Sequence, residues 1–170
     1  MEYKILKTNE EIEAIISAFS DLVYRLAITQ LKNKDDAEDV YQEVFIRYAK
    51  MEKPFENEDH KRAWFIRVTI NCCKKLRTSA WFRHKAPELN SEILESIEDT
   101  SQSGDFEDVH DAVLNLPAKY RLVIHLFYYE DLSISQISNV LNIKESTITS
   151  QLTRARKLLR DRLKGDYDYE

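Results

Sequence analysis

Ile12, Ile15, Ile16, Phe19, Leu22, Val23 and Leu26 recur at intervals that place them on one side of a helix, and this spacing predicts a helix over roughly residues 9 to 32. A second helix is expected in "DDAEDVYQEVFIRYAK", residues 35 to 50, where Ala37, Val40, Tyr41, Val44, Phe45 and Tyr48 share one broad apolar face. Asp35 with Glu38 three residues on reads as the capping box that starts it. Opposite the apolar face lie Asp39, Gln42, Glu43 and Ile46. An apolar residue ringed by two acids and an amide suits docking to a partner with basic residues, although a single exposed Ile is also ordinary.

The stretch "MEKPFENEDH", 51 to 60, carries Pro54 between two helical patterns and reads as a loop. In the helix after it, Phe65, Val68, Thr69, Cys72 and Leu76 gather on one face, and Trp64, Arg67, Asn71, Lys74, Lys75 and Thr78 on the other. Cations that neutralise phosphate, a ring on which a base can stack and an amide that can bond a base edge together suit single-stranded nucleic acid. The plainer alternative is that Trp64 folds over the core and the cations keep the helix soluble.

The pattern from 116 to 163 is that of a helix-turn-helix. Pro117 suits a first helical turn, and the helix it opens runs to about Tyr129. Ser133 with Gln136 caps a short helix that buries Ile134, Ile137 and Leu141, and Asn142 stands where a left-handed residue is wanted. In the last helix Ile148, Leu152, Ala155 and Leu159 face the core. Opposite them lie Ser146, Ser150, Thr153, Arg154 and Lys157, with Thr147 at the edge. Hydroxyls first and cations later suit a helix entering a major groove end-on, early residues meeting bases and later ones phosphates. A three-helix protein-binding module is the competing interpretation.

Composition supports an all-α chain, since only 2 Gly and 3 Pro among 170 residues leave little material for hairpins. Charge divides the chain. Residues 60 to 87 hold eight Lys or Arg and no acid, inside a chain of net charge -5; residues 86 to 118 hold nine acids and no Lys or Arg. A second basic block, 144 to 164, has seven Lys or Arg against two acids. The expected organisation is therefore two small helical domains, 1–85 and 108–164, joined by a flexible acidic linker, 86–107, with an acidic tail, 165–170. No apolar run is long enough to cross a bilayer and the start lacks a secretory pattern, so a cytoplasmic protein without membrane insertion is expected. Cys72 and Cys73 are adjacent in a helix, where packing is the expected role and two ligands are too few for zinc.

These residues carry a resemblance. "DAEDVYQEVFIRYAK", "AWFIRVTINCCKK" and "LPAKYRLVIHLFYYEDLSISQISNVLNIKESTITSQLTRARKLL" resemble, in order, the three motifs of bacterial sigma factors of the extracytoplasmic-function type, and the likeness covers nearly all of the chain. The resemblance implies that Asp39, Gln42, Glu43 and the patch around Ile46 bind core RNA polymerase. It implies that Trp64, Arg67, Asn71 and Lys74 melt and hold the minus-ten element of promoter DNA, with Phe55, Glu56 and Asn57 in a loop that takes up a flipped base. It implies that the last helix, with Lys144, Ser146, Thr147, Ser150, Gln151, Arg154 and Lys157, reads the minus-thirty-five element. An anti-sigma factor is a further partner expected from the family. Ser138 and Asn142 stand where the family usually has Ala and Gly, Gln151 where a cation is common, and Lys75 where an acid is common.

No phosphate loop, His pair at ligand spacing or nucleophile motif is present, so no cofactor, metal or enzymatic activity is expected. His125, in an apolar helix, has an expected structural role. The competing function is a helix-turn-helix regulator that acts without polymerase.

Overall fold

The structure, a computed structural model, describes residues 7–79 and 104–167, the side chains of 104–107 and 165–167 excepted. The chain divides into two compact units, Met1–Asn90 and Ser91–Glu170. Every regular element among the described residues is helical.

Three helices build the first unit: α1 (Asn9–Leu31), α2 (Lys34–Lys50) and α3 (Glu58–Thr78). Thr8 and Glu11 start α1 with a reciprocal capping box, satisfying two backbone N–H groups that the first turn leaves without partners. Lys32 ends α1 in the left-handed region at φ 53°, which turns the chain back within two residues. Asn33, extended at φ -145°, then caps α2 by accepting from the Asp36 N–H at 2.9 Å. The cap is thus Asn33 and not the expected Asp35, which lies inside the first turn where its charge favours the positive end of the helix dipole.

All three helices pack on one another around Val23, Leu26, Ala27, Ala37, Val44, Phe65 and Ile66, each fully buried. Because α1 and α2 flank α3, its buried face is broader than its spacing alone suggests. Phe65, Ile66, Thr69, Ile70, Cys72 and Cys73 are buried, whereas Val68 and Leu76 are half-exposed. The buried Thr69 hydroxyl donates to the Phe65 carbonyl at 2.6 Å, so it enters the core without an unmade bond.

The second unit holds α4 (Gly104–Leu114), α5 (Ala118–Ile124), a π-helical turn (His125–Tyr129), α6 (Ile134–Leu141) and α7 (Glu145–Tyr167). α4 begins inside the segment expected to be linker, and α7 runs into the expected tail; the linker residues 86–103 and tail residues 168–170 lie outside the described residues. The single helix expected up to Tyr129 changes to π geometry at His125. There buried Glu130 meets the buried His125 Nε2 at 3.2 Å.

Arg121 is also buried and donates from Nη1 to the carbonyls of Leu114 and Leu116, at 3.0 and 2.9 Å, fastening the corner between α4 and α5. The Ser133–Gln136 capping box starts α6, and Asn142 ends it at φ 54°. Val140 takes the buried place expected of Leu141, which is half-exposed. Ser138 donates its hydroxyl to the Ile143 carbonyl and so ties the turn between α6 and α7.

Candidate nucleic-acid interface

On α2, Asp39, Gln42 and Glu43 are exposed, as is Ile46 at 45%. Arg47 Nε donates to Glu43 Oε1 at 2.7 Å, a contact one helical turn long that sequence reasoning passed over. The Glu43 carboxylate holds the Arg47 guanidinium above its ordinary range. Since both partners face solvent, the pair contributes a few tenths of a kcal/mol. The patch is therefore acidic at Asp39, bonded to a cation at Glu43, and centred on an aliphatic side chain.

Rings organise the face of α3. Trp64 lies between the two expectations for it: half-buried, with its ring edge-on to Phe65 at 4.9 Å, Phe55 at 5.7 Å and Tyr48 at 6.3 Å. The ring covers the core near the start of the helix face along which Arg67, Asn71 and Lys74 are exposed. Phe55, from the loop, lies parallel to Tyr48 with centroids 6.2 Å apart. The Lys7 ammonium sits 4.7 Å above the Tyr48 ring and also donates to the Met51 carbonyl, joining the start of α1 to this loop. Burial, followed by the field of Glu11, raises the Tyr48 phenol above its usual range, so it stays neutral.

Asn57 is the N-cap of α3. Its Oδ1 accepts from the His60 N–H at 2.8 Å, so this carbonyl is engaged within the protein. Sequence reasoning also missed His60, whose Nδ1 accepts from the Glu56 N–H at 3.1 Å. The usual preference for Asn at N-caps was the available signal for the first of these bonds.

On α7, Ser146, Thr147, Ser150, Thr153, Arg154 and Lys157 are all exposed, and Gln151 is half-exposed. Ile148, Leu152 and Ala155 are buried. The carbonyl of exposed Lys144 accepts from the N–H groups of Thr147 and Ile148, at 3.0 and 3.1 Å, which places the helix start immediately after it. Ser150 and Thr153 each donate to the carbonyl four residues back at 3.0 Å, leaving oxygen lone pairs as what they present outward.

Arg156 was not anticipated. It turns away from the side of Arg154, and its Nε donates to the Tyr128 hydroxyl at 2.8 Å, with the guanidinium over the rings of Phe127 and Tyr128 at 5.5 and 5.6 Å. Arg156 borders a groove of about 560 Å³ lined by Val109, Val113, Ile124, Tyr129 and Leu159 within the second unit.

Cys72 and Cys73 are buried free thiols. Burial raises both, Cys73 to about 12, so neither is a thiolate near neutral pH. Among the described residues no cluster of metal-ligating side chains forms, and no helix is long and apolar enough to cross a membrane.

Two family models match, "Sigma-70 region 2" over residues 15–83 and "Sigma-70, region 4" over residues 106–159. The chain is 30% identical over 144 residues to the RNA polymerase sigma factor SigV of Bacillus subtilis, covering 82% of this chain and 83% of the relative. It is 29% identical over 168 residues to the ECF RNA polymerase sigma factor SigW of the same organism, covering 88% and 87%. Two solved structures share the fold at a TM-score of 0.64. One is the sigma factor RpoE of Bartonella quintana bound to the anti-sigma factor NepR, at 22% identity over 91% of this chain and 98% of that one. The other is CnrH bound to the cytosolic domain of CnrY, at 19% identity over 94% and 91%.

Proposed function

The chain belongs to the extracytoplasmic-function group of the sigma-70 family, and from that membership we propose how its three faces divide the work of initiation. The protein is an alternative sigma factor: it binds core RNA polymerase, recognises and melts promoters, and so directs where transcription begins. It is an initiation factor without a reaction of its own, and it works in the cytoplasm, where polymerase and chromosome are. An anti-sigma protein is a further partner, as one is bound to the sigma factor RpoE among the structural neighbours.

The α2 patch of Asp39, Gln42, Glu43 and Ile46 takes the polymerase. Its acids steer a basic partner surface and the exposed Ile46 supplies apolar contact. The α3 face, with Phe55, Asn57, Trp64, Arg67, Asn71 and Lys74, takes the opened minus-ten strand: cations follow phosphates while the ring stack offers π-surfaces to unpaired bases. Lys144, Ser146, Thr147, Ser150, Gln151, Arg154 and Lys157 take the minus-thirty-five duplex, the early residues at base edges and Arg154 and Lys157 at phosphates.

The observation that carries this division is chemical. A ring cluster precedes the exposed cations on α3, whereas hydroxyls precede the cations on α7. The test is capture of this chain by purified core polymerase, followed by run-off transcription from the promoter of its own gene. Asp39→Ala with Glu43→Ala is expected to weaken core binding about tenfold or more, with the helical circular dichroism unchanged. Tight promoter binding by the free chain, with no capture by core, would instead make it a regulator independent of polymerase.

A further inference from the structure

The loop before α3 is closed by two bonds that meet at His60. The Glu56 N–H donates to His60 Nδ1 at 3.1 Å, and the His60 N–H donates to Asn57 Oδ1 at 2.8 Å. An imidazole nitrogen that accepts a hydrogen bond carries no proton, so the neutral His60 ring carries its proton on Nε2. The ring is exposed and stands edge-on to Phe55, with centroids 5.6 Å apart and planes at 88°. Phe55 is itself held parallel to Tyr48. Asn57 Oδ1 is engaged in the cap, and among the described residues no bond to His60 Nε2 is formed. The oriented donor next to the Phe55 ring is therefore His60 Nε2–H, and the backbone of Glu56 is what orients it.

We propose that His60 is a specificity-determining residue of promoter opening, its Nε2–H donating to an acceptor on the edge of an unpaired non-template base laid against Phe55. This rests on the loop being a base site. Stacking on a ring tolerates all four bases, because each has a π-face. A fixed donor at the ring's margin does not. It favours a base with a carbonyl oxygen where the donor meets that edge, O4 of thymine or O6 of guanine, and disfavours adenine and cytosine, which carry an exocyclic amino donor at that place.

The experiment uses holoenzyme reconstituted from the full chain and core polymerase, on fork-junction DNA cut from a promoter active in run-off assays. Each unpaired non-template position is varied through four bases, and core binding reports folding. The wild type should prefer thymine or guanine over adenine and cytosine at one position. His60→Asn puts an amide oxygen where Nδ1 was, keeping the Glu56 bond, but carries nothing at the place of Nε2. It should reduce that preference about tenfold, the effect of one hydrogen bond, and leave the other positions unchanged. His60→Ala should do the same.

If His60→Asn retains the wild-type preference while His60→Ala loses it, His60 only shapes the loop and the proposal is overturned. Retention by both variants overturns it too. If no position discriminates and Phe55→Ala opens DNA as the wild type does, the loop is not a base site, and the failure belongs to that broader reading.

Discussion

The two helices proposed to bind DNA rest on opposite kinds of support. α3 rests on rings: buried Phe65 lies 4.4 Å from Phe19 and 5.6 Å from Tyr48, and the stack continues outward through Trp64 and Phe55 to the surface. α7 rests on the aliphatic Ile148, Leu152 and Ala155, in a unit fastened by polar bonds from Arg121 and between His125 and Glu130. Capturing an unpaired base calls for π-surface, which the core of the first unit already contains, so there core and proposed site are one continuous structure. Reading a duplex calls for hydroxyls and cations, which a core cannot supply, so in the second unit the two are separable.

The comparison is broken most forcefully at Phe65. Phe65→Ala removes the ring that Phe19, Tyr48 and Trp64 share, and it should cost the first unit about 3–5 kcal/mol. In urea unfolding followed by circular dichroism, an early transition should split off, while upstream duplex binding through α7 persists. A single transition lowered as a whole would show that the two units unfold together and would end the claim of independent support.

Arg121→Met tests the polar fastening. It leaves the Leu114 and Leu116 carbonyls without their donor in a buried corner and should destabilise the second unit by about 2 kcal/mol. Polymerase capture through α2 should not change. Next in size is Arg154→Ala, which should weaken binding to minus-thirty-five duplex about tenfold and lower the salt dependence by about one ion. Its unfolding curve should match that of the wild type, because Arg154 is exposed and outside the core. Destabilisation by Arg154→Ala would contradict the separation of site from core.

How much of this was legible in sequence follows from the range of the interactions involved. The Ser133–Gln136 box, the left-handed Asn142 and the Ile148–Leu152–Ala155 arc depend on neighbours within a few residues, and the pattern reveals them. The choice of Asn33 over Asp35 as a cap depended on a left-handed Lys32, which no local rule favours. The π-turn coincides with a buried His125–Glu130 contact between residues five apart, and the depth of Trp64 depends on where Tyr48 and Phe55 sit. Arg154 was placed opposite the core arc of the last helix, and Arg156 was given no place. Two residues apart on a helix, they point about 200° from one another, and the rings of Phe127 and Tyr128 decide which side takes Arg156.

The smallest effect distinguishes the two supports by pH. Cys73 is fully buried against the core of the first unit, and burial raises its thiol from 9.0 to about 12. The folded state thus retains a proton that the unfolded chain begins to lose near pH 9. Stability from the neutral thiol is complete below that pH and declines as pH rises from 9 toward 12. The first unit should therefore weaken between pH 8.5 and about pH 10, by under about 2 kcal/mol, in unfolding measured pH by pH. Cys73→Val keeps an apolar side chain at the site and should flatten this slope relative to the wild type, although its absolute stability differs. Tyrosines common to both proteins titrate in the same range, so the difference between the two curves is what reports on the thiol. Identical slopes would place Cys73 in contact with water and would remove it from the dry core on which α3 is held.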